Sequence, residues 1–210
     1  VSSIGKPLWR AGSGMPVCTV PGVQSRPAVI PFGEDKTLVA WQDLSGTQTE
    51  LYADLLNVFG ESEWGRDGKL LASVDGSSES QDLHLARSSS EDILLYLTRV
   101  GGPTYSTLLV RRGEVAAKNT APTQIFEPSD EDLHVFDLSD GWLAIRGTHV
   151  QRIVLKDEEV FSSAPLAWIR DFPGIQDVQA VILPEGEIQI CWEQVEGIDF
   201  DIYGYRGRVE

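Results

Sequence analysis

The chain carries an Asp-x-His pair twice, in Asp82-Leu83-His84-Leu85 and again in Asp132-Leu133-His134-Val135. Side chains two apart on a β-strand share a face. Each copy is therefore expected to present a carboxylate and an imidazole together, the donor types that hold a divalent ion. Two further segments align with these, Arg26-Pro27-Ala28-Val29 and Asp177-Val178-Gln179-Ala180. The alignment defines one set of Ala28, His84, His134 and Gln179, and a second of Arg26, Asp82, Asp132 and Asp177. The opposite parity (Pro27, Leu83, Leu133, Val178) is apolar and suited to packing. If the polar parity lines a central channel, His84, His134, Asp82 and Asp132 are the candidate metal ligands. The plainer reading is that the Asp residues cap strand starts and the imidazoles hydrogen-bond to neighbouring strands.

The aromatic residues divide in a similar way. Trp9, Trp41, Trp64 and Trp192 recur at equivalent places in the aligned segments and read as packing elements. Trp142 and Trp168 break the pattern. They are the candidate ligand-binding residues, suited to stacking on a sugar ring or anchoring an interface, with burial as the competing reading. Three acidic loops, 75–82, 127–132 and 193–201, offer hard oxygen ligands for calcium, but none has the spacing of an EF-hand loop, and solvated strand-ending loops explain them as well. Catalytic patterns are thin. The chain has three His and lacks Gly-x-Ser-x-Gly, His-Glu-x-x-His and P-loop motifs. A glycosidase needs only two suitably placed carboxylates, and a chain with 32 acidic residues always offers pairs.

The elements that must hold these residues are strands. Helical periodicity is nearly absent, polar and apolar residues alternate at period two, and Gly, Asp, Ser and Pro punctuate the chain about every ten residues. First strands are expected at the four aligned segments above. Second strands are expected at 37–42, 92–98, 142–146 and 187–193, third strands at 50–56, 105–110, 149–155 and 200–205, and fourth strands at 68–74, 121–126 and 164–169. The fourth copy has no fourth strand after it, but 8–17 reads like 63–72 and would supply one from the other end of the chain. Four similar units closed in this way predict an all-β chain, a single four-bladed β-propeller over 1–210 with four-stranded antiparallel blades. The blades cover roughly 24–76, 80–126, 131–170, and 176–210 plus 1–18, and such a ring solves the exposed-edge problem.

The run AWQDLSGTQTELYADLLNVFGESEWGRDGKLL resembles the blade repeat of bacterial extracytoplasmic β-propeller proteins. Those repeats carry a Trp-acid pair, a turn, a D-I-Y-A-Q-like strand, a Gly turn and L-W-x-x-x-G. Trp192-Glu193, Asp201-Ile202-Tyr203 and Leu8-Trp9 with Gly14 repeat the pattern, so the resemblance covers about half the chain. It departs at Gln42, which follows Trp41 in place of an acid, and in the middle units, which have Leu97-Thr98 and Ile145-Arg146 instead. The resemblance implies the fold and an exported, extracellular or periplasmic location. It implies no activity, because propellers host many functions. Ser139-Asp140-Gly141-Trp142 is only a superficial echo of a sialidase Asp-box.

Composition narrows the partners. A formal charge of −15 and a hydrophobic content of 41% describe an acidic chain able to build a core. That charge opposes binding to nucleic acid or to an anionic membrane surface, and no apolar stretch is long enough to span a bilayer as a helix. Cys18 and Cys191 make no zinc pattern and read as buried free thiols. The start at Val1 suits a mature exported protein or a domain from a longer chain. The expectation is a non-enzymatic module that binds a protein or glycan through loops, with no cofactor beyond a possible divalent ion in the channel or loops. A carbohydrate-active propeller, lectin or hydrolase, is the alternative, and a structural subunit of a larger extracellular assembly is the third.

Overall fold

The computed structural model describes residues 15–75, 81–88, 92–99, 102–111, 114–115, 123–129, 133–138, 141–146, 149–156, 159–162, 175–183, 187–196 and 199–208. Every regular element among them is a β-strand. The chain forms two compact units, one containing the first sheet and the other the remaining three.

In the first unit, β1 (Gln24–Phe32), β2 (Lys36–Asp43), β3 (Gln48–Leu56) and β4 (Lys69–Asp75) form a sheet in chain order. All neighbours are antiparallel. Alternation places Leu38 and Ala40 on one face with Leu51, Ala53 and Leu55, all buried. Trp41 lies on the other face, paired with Tyr52 and stacked on it at 5.9 Å and 13°.

The second unit has three sheets. The first contains β5 (Gln81–Arg87), β6 (Ile93–Arg99), β7 (Gly102–Arg111), β8 (Glu114–Val115) and β9 (Thr123–Ser129). β8 and β9 share one edge of β7: β9 pairs with Gly102–Ser106 and β8 with Val110 and Arg111. The next sheet runs β10 (Leu133–Leu138), β11 (Gly141–Arg146), β12 (His149–Lys156), β13 (Glu159–Ser162). The last runs β14 (Ile175–Ile182), β15 (Glu187–Glu196), β16 (Asp199–Arg208).

The expected strands are present at nearly the expected places, with two refinements. The fourth strand beside β12 is Glu159–Ser162, whereas the expected strand at 164–169 lies outside the described residues. The segment 8–14, expected to complete the last sheet, also lies outside them.

The sheets of the second unit are layered face to face. Trp142, Ala144 and Ile153 of the β10–β13 sheet pack with Leu94, Tyr96, Ile125 and Phe126 of the β5–β9 sheet. From the opposite face, Leu138, Leu143, Ile145 and Val150 pack with Ile188, Ile190 and Trp192 of the β14–β16 sheet. β11 is therefore buried at every position. A strand covered on both faces loses the alternation of a half-exposed one and reads as a continuous apolar run. The first strands of these layers are neighbours, with β10 beside both β5 and β14.

The repeat is also visible in the hydrogen-bond register. Ala28 pairs with Ala40 and Trp41 with Tyr52; Gln179 pairs with Cys191 and Trp192 with Tyr203. Trp192 stacks on Tyr203 at 6.0 Å and 15°, nearly the geometry of the first sheet. Both first strands carry a register shift at the same repeat position, between Ser25 and Ala28 and between Gln176 and Gln179. In β1 the shift contains Arg26, at a positive φ of 52° just before Pro27.

Candidate functional site

In the second unit, His84 of β5 and His134 of β10 lie against different neighbouring sheets. His84 pairs with Tyr96, and Tyr96 belongs to the layer between the β5–β9 and β10–β13 sheets. The His84 ring stacks on Tyr96 at 4.9 Å and 13°, and its Nε2 lies 3.1 Å from Thr98 Oγ1. Burial lowers the His84 pKa below its ordinary 6.5, against the upward pull of Asp82. Burial also pushes the Tyr96 hydroxyl up to about 12.

His134 pairs with Ile145, which faces the β14–β16 sheet, and its ring stacks on Phe136 at 6.4 Å. The two imidazoles thus face different interlayer spaces, on opposite sides of the β10–β13 sheet. Both faces of β10 pack, with Leu133 and Val135 against one interlayer cluster and Phe136 against the other. Asp82 is exposed, and Asp132 lies outside the described residues. Among the described residues, no group of three or more His, Cys, Asp and Glu is placed to hold a metal ion.

Trp142 is buried to 0% exposure inside the interlayer core, and its Nε1–H has no hydrogen-bond partner among the described residues. Its indole is packing, with no face open to a sugar. Trp168 lies outside the described residues. The register also moves one assignment by a residue. His134 matches Gln179, so Ile145 matches Cys191, and Arg146, not Ile145, occupies the Trp192 position. Arg146 is 2% exposed, a buried guanidinium where two other sheets carry an indole. Cys18 and Cys191 are free thiols, each half-buried.

Two adjacent exposed apolar side chains were not singled out by sequence. They lie in the β3–β4 connection of the first unit. A bridge between Leu56 and Ser62 closes a five-residue loop, Asn57-Val58-Phe59-Gly60-Glu61. Asn57 organises it. Its Oδ1 accepts the backbone N–H groups of Phe59 and Glu61 at 2.9 and 3.0 Å. Its Nδ2 donates to Glu61 Oε2 at 3.0 Å. Its carbonyl accepts from Gly60 N and its N–H donates to the Glu61 carbonyl. Gly60 has a φ of +78°, the left-handed conformation required after a type I turn in such a hairpin. The pattern Asn-x-x-Gly is the sequence signal for this turn. Its two central positions hold Val58 and Phe59, with Phe59 70% exposed.

The rest of the connection fastens the loop to the sheet. Ser62 Oγ donates to the Gly65 carbonyl and accepts from Gly65 N. The buried Asp54 Oδ1 accepts from Leu55 N at 2.8 Å and Trp64 N at 3.3 Å. Lys36 binds Glu63 at 2.8 Å, tying the β1–β2 turn to the loop. Gly68 closes against the sheet at a φ of +68°, where a Cβ would lie 2.5 Å from Trp41 Cη2 and 2.7 Å from the Ala53 carbonyl.

No protein-family model matches the chain, and no curated protein matches it. Among solved structures, a chain of the complex of the fission yeast SREBP-SCAP binding domains is similar over 92% of this chain, with 13% identity and a TM-score of 0.45. This chain spans 52% of the length of that one.

Proposed function

We propose that the chain is a non-enzymatic interaction module built as a single four-bladed β-propeller. Support for the architecture comes from the layering of the second unit. Tyr96 and Ile145 are register equivalents, and each faces the next sheet along the chain, so one displacement repeated generates the stack. The first sheet shares the register and the Trp–Tyr pair of the last, as a fourth copy would. Ring closure by the N-terminal segment completes this reading. An exported location follows from the resemblance of the blade repeat.

The functional reading rests on the contrast between packed and presented groups. The imidazoles and Trp142 sit in packing, while Phe59 stands on a hydrogen-bonded loop at the surface. Rigid loops carrying exposed aromatics are the usual location of binding residues. The runner-up is a carbohydrate-active propeller. Immobilised protein probed with a displayed peptide library and a glycan array separates the two: peptide binding without glycan binding is expected. Glycan binding points to the runner-up, and hydrolysis of aryl glycosides by the purified chain overturns the non-enzymatic reading.

A further inference from the structure

Resting on the interaction-module reading, the geometry points to Phe59 and Val58 as the anchor of a docking site for a protein segment that combines an apolar side-chain pocket with a basic rim. The first support is the exposure of Phe59, 70% on a described and closed loop. An isolated surface apolar residue needs no explanation. Here, however, the chain places two adjacent ones at the tip of a turn and fixes that tip with five hydrogen bonds through Asn57 and its neighbours. A preformed loop gives up little conformational entropy on binding, so an aromatic side chain on it delivers its contact area at low cost.

The second support is charge. Glu61 is in the loop, Glu63 follows it, and the Lys36–Glu63 pair brings the exposed Glu34 and Asp35 of the β1–β2 turn to the same end of the sheet. Glu34, Asp35, Glu61, Glu63 and Asp67 therefore stand against Lys36, Arg66 and Lys69, the last over the Trp64 ring, which leaves this end acidic. The net charge of −15 carries the same sign. An acidic rim around an apolar tip repels a second copy of this chain and an anionic lipid surface, and it complements Lys and Arg around a pocket. The partner class is accordingly a cationic peptide or protein surface with an apolar cleft.

The test uses a yeast-displayed library of short random peptides, sorted on the full chain and re-measured on Phe59→Ser and on the pair Glu34→Lys with Asp35→Lys. Expected are peptides rich in Lys and Arg around apolar residues. Phe59→Ser should weaken them about tenfold or more. The charge reversal should weaken them less and reduce the loss of binding between about 50 and about 500 mM salt. Peptides that bind wild type and Phe59→Ser equally overturn the site and leave the module reading standing. Glycoside hydrolysis with no peptide enriched overturns both. Enrichment of acidic peptides, Phe59-dependent partition onto phosphatidylcholine vesicles, or a Phe59-dependent dimer in sedimentation velocity each overturns the assigned partner class. Because Phe59 is exposed, the circular dichroism and melting of Phe59→Ser should match wild type, so a binding loss reads as a lost contact.

Discussion

Trp142 and Phe59 are both large aromatic residues beside a glycine, yet they meet opposite surroundings. Trp142 follows Gly141 at the start of β11, a strand with a sheet on each side, and its ring fills the layer between two of them. Phe59 precedes Gly60 in a loop beyond the end of β3, and its ring faces solvent. Neighbouring layers, more than residue type, decide which aromatic is structure and which is available for recognition. The same contrast separates His84, held between a tyrosine ring and a threonine hydroxyl, from the carboxylates of the β1–β2 turn, which are open to water.

The largest effect should come from Trp142→Ala, which empties an interlayer space and is expected to cost about 3–5 kcal/mol in urea unfolding. A loss below about 1 kcal/mol would place the indole outside the core and break the contrast. Gly68→Ala should cost about 1–3 kcal/mol, from its left-handed backbone and the close approach to Trp41. Wild-type stability there would mean that the β3–β4 connection is not seated on the sheet.

Two titrations sharpen the comparison. The Tyr96 pKa is raised to about 12, so as pH rises past about 10 the unfolded chain releases that proton first and stability falls toward the folded value. Tyr96→Phe should be spared about 2 kcal/mol of the loss between pH 8 and pH 11.5; parallel profiles would show an accessible phenol. His84 has the opposite sense. Its pKa is lowered, so the stability tied to its neutral ring is complete above about pH 6.5 and is lost as pH falls through that value toward the folded pKa. Denaturant midpoints of His84→Gln should therefore change less than wild type on acidification from about pH 7.5 to about pH 5; a steeper fall in the variant would contradict the buried ring. Phe59→Ser should change stability least, within about 0.5 kcal/mol, and a cooperative loss of stability would turn the loop anchor into a core residue.

Strand positions were legible because alternation and turn residues mark them locally. β2 and β3 start and end within two residues of the expectation. The faces of the first strands were less legible. The Asp82–His84 and Asp132–His134 patterns give parity, but parity names a destination only when one face is solvated, and layered sheets cover both. The buried Arg146 aligns one residue away from its place because the rest of β11, Gly141 to Ile145, has no polar alternation and carries no phase. Phe59 escaped notice because an apolar residue in a loop looks the same in sequence whether it folds inward or outward. Only the hydrogen bonds of Asn57 fix the direction.

The strand order carries a consequence for how the chain comes to be built. Among the described strands, hydrogen-bonded partners lie near one another in sequence, and the four sheets follow each other along the chain. A chain leaving the ribosome can therefore pair these neighbouring strands as they emerge, before the later sheets are made. The layer cores come later, since the side chains of β11 have no second cover until Trp192 has been synthesised. Nascent intermediates would expose one apolar sheet face at a time, and β14–β16 would act as the lid on the open face of β11.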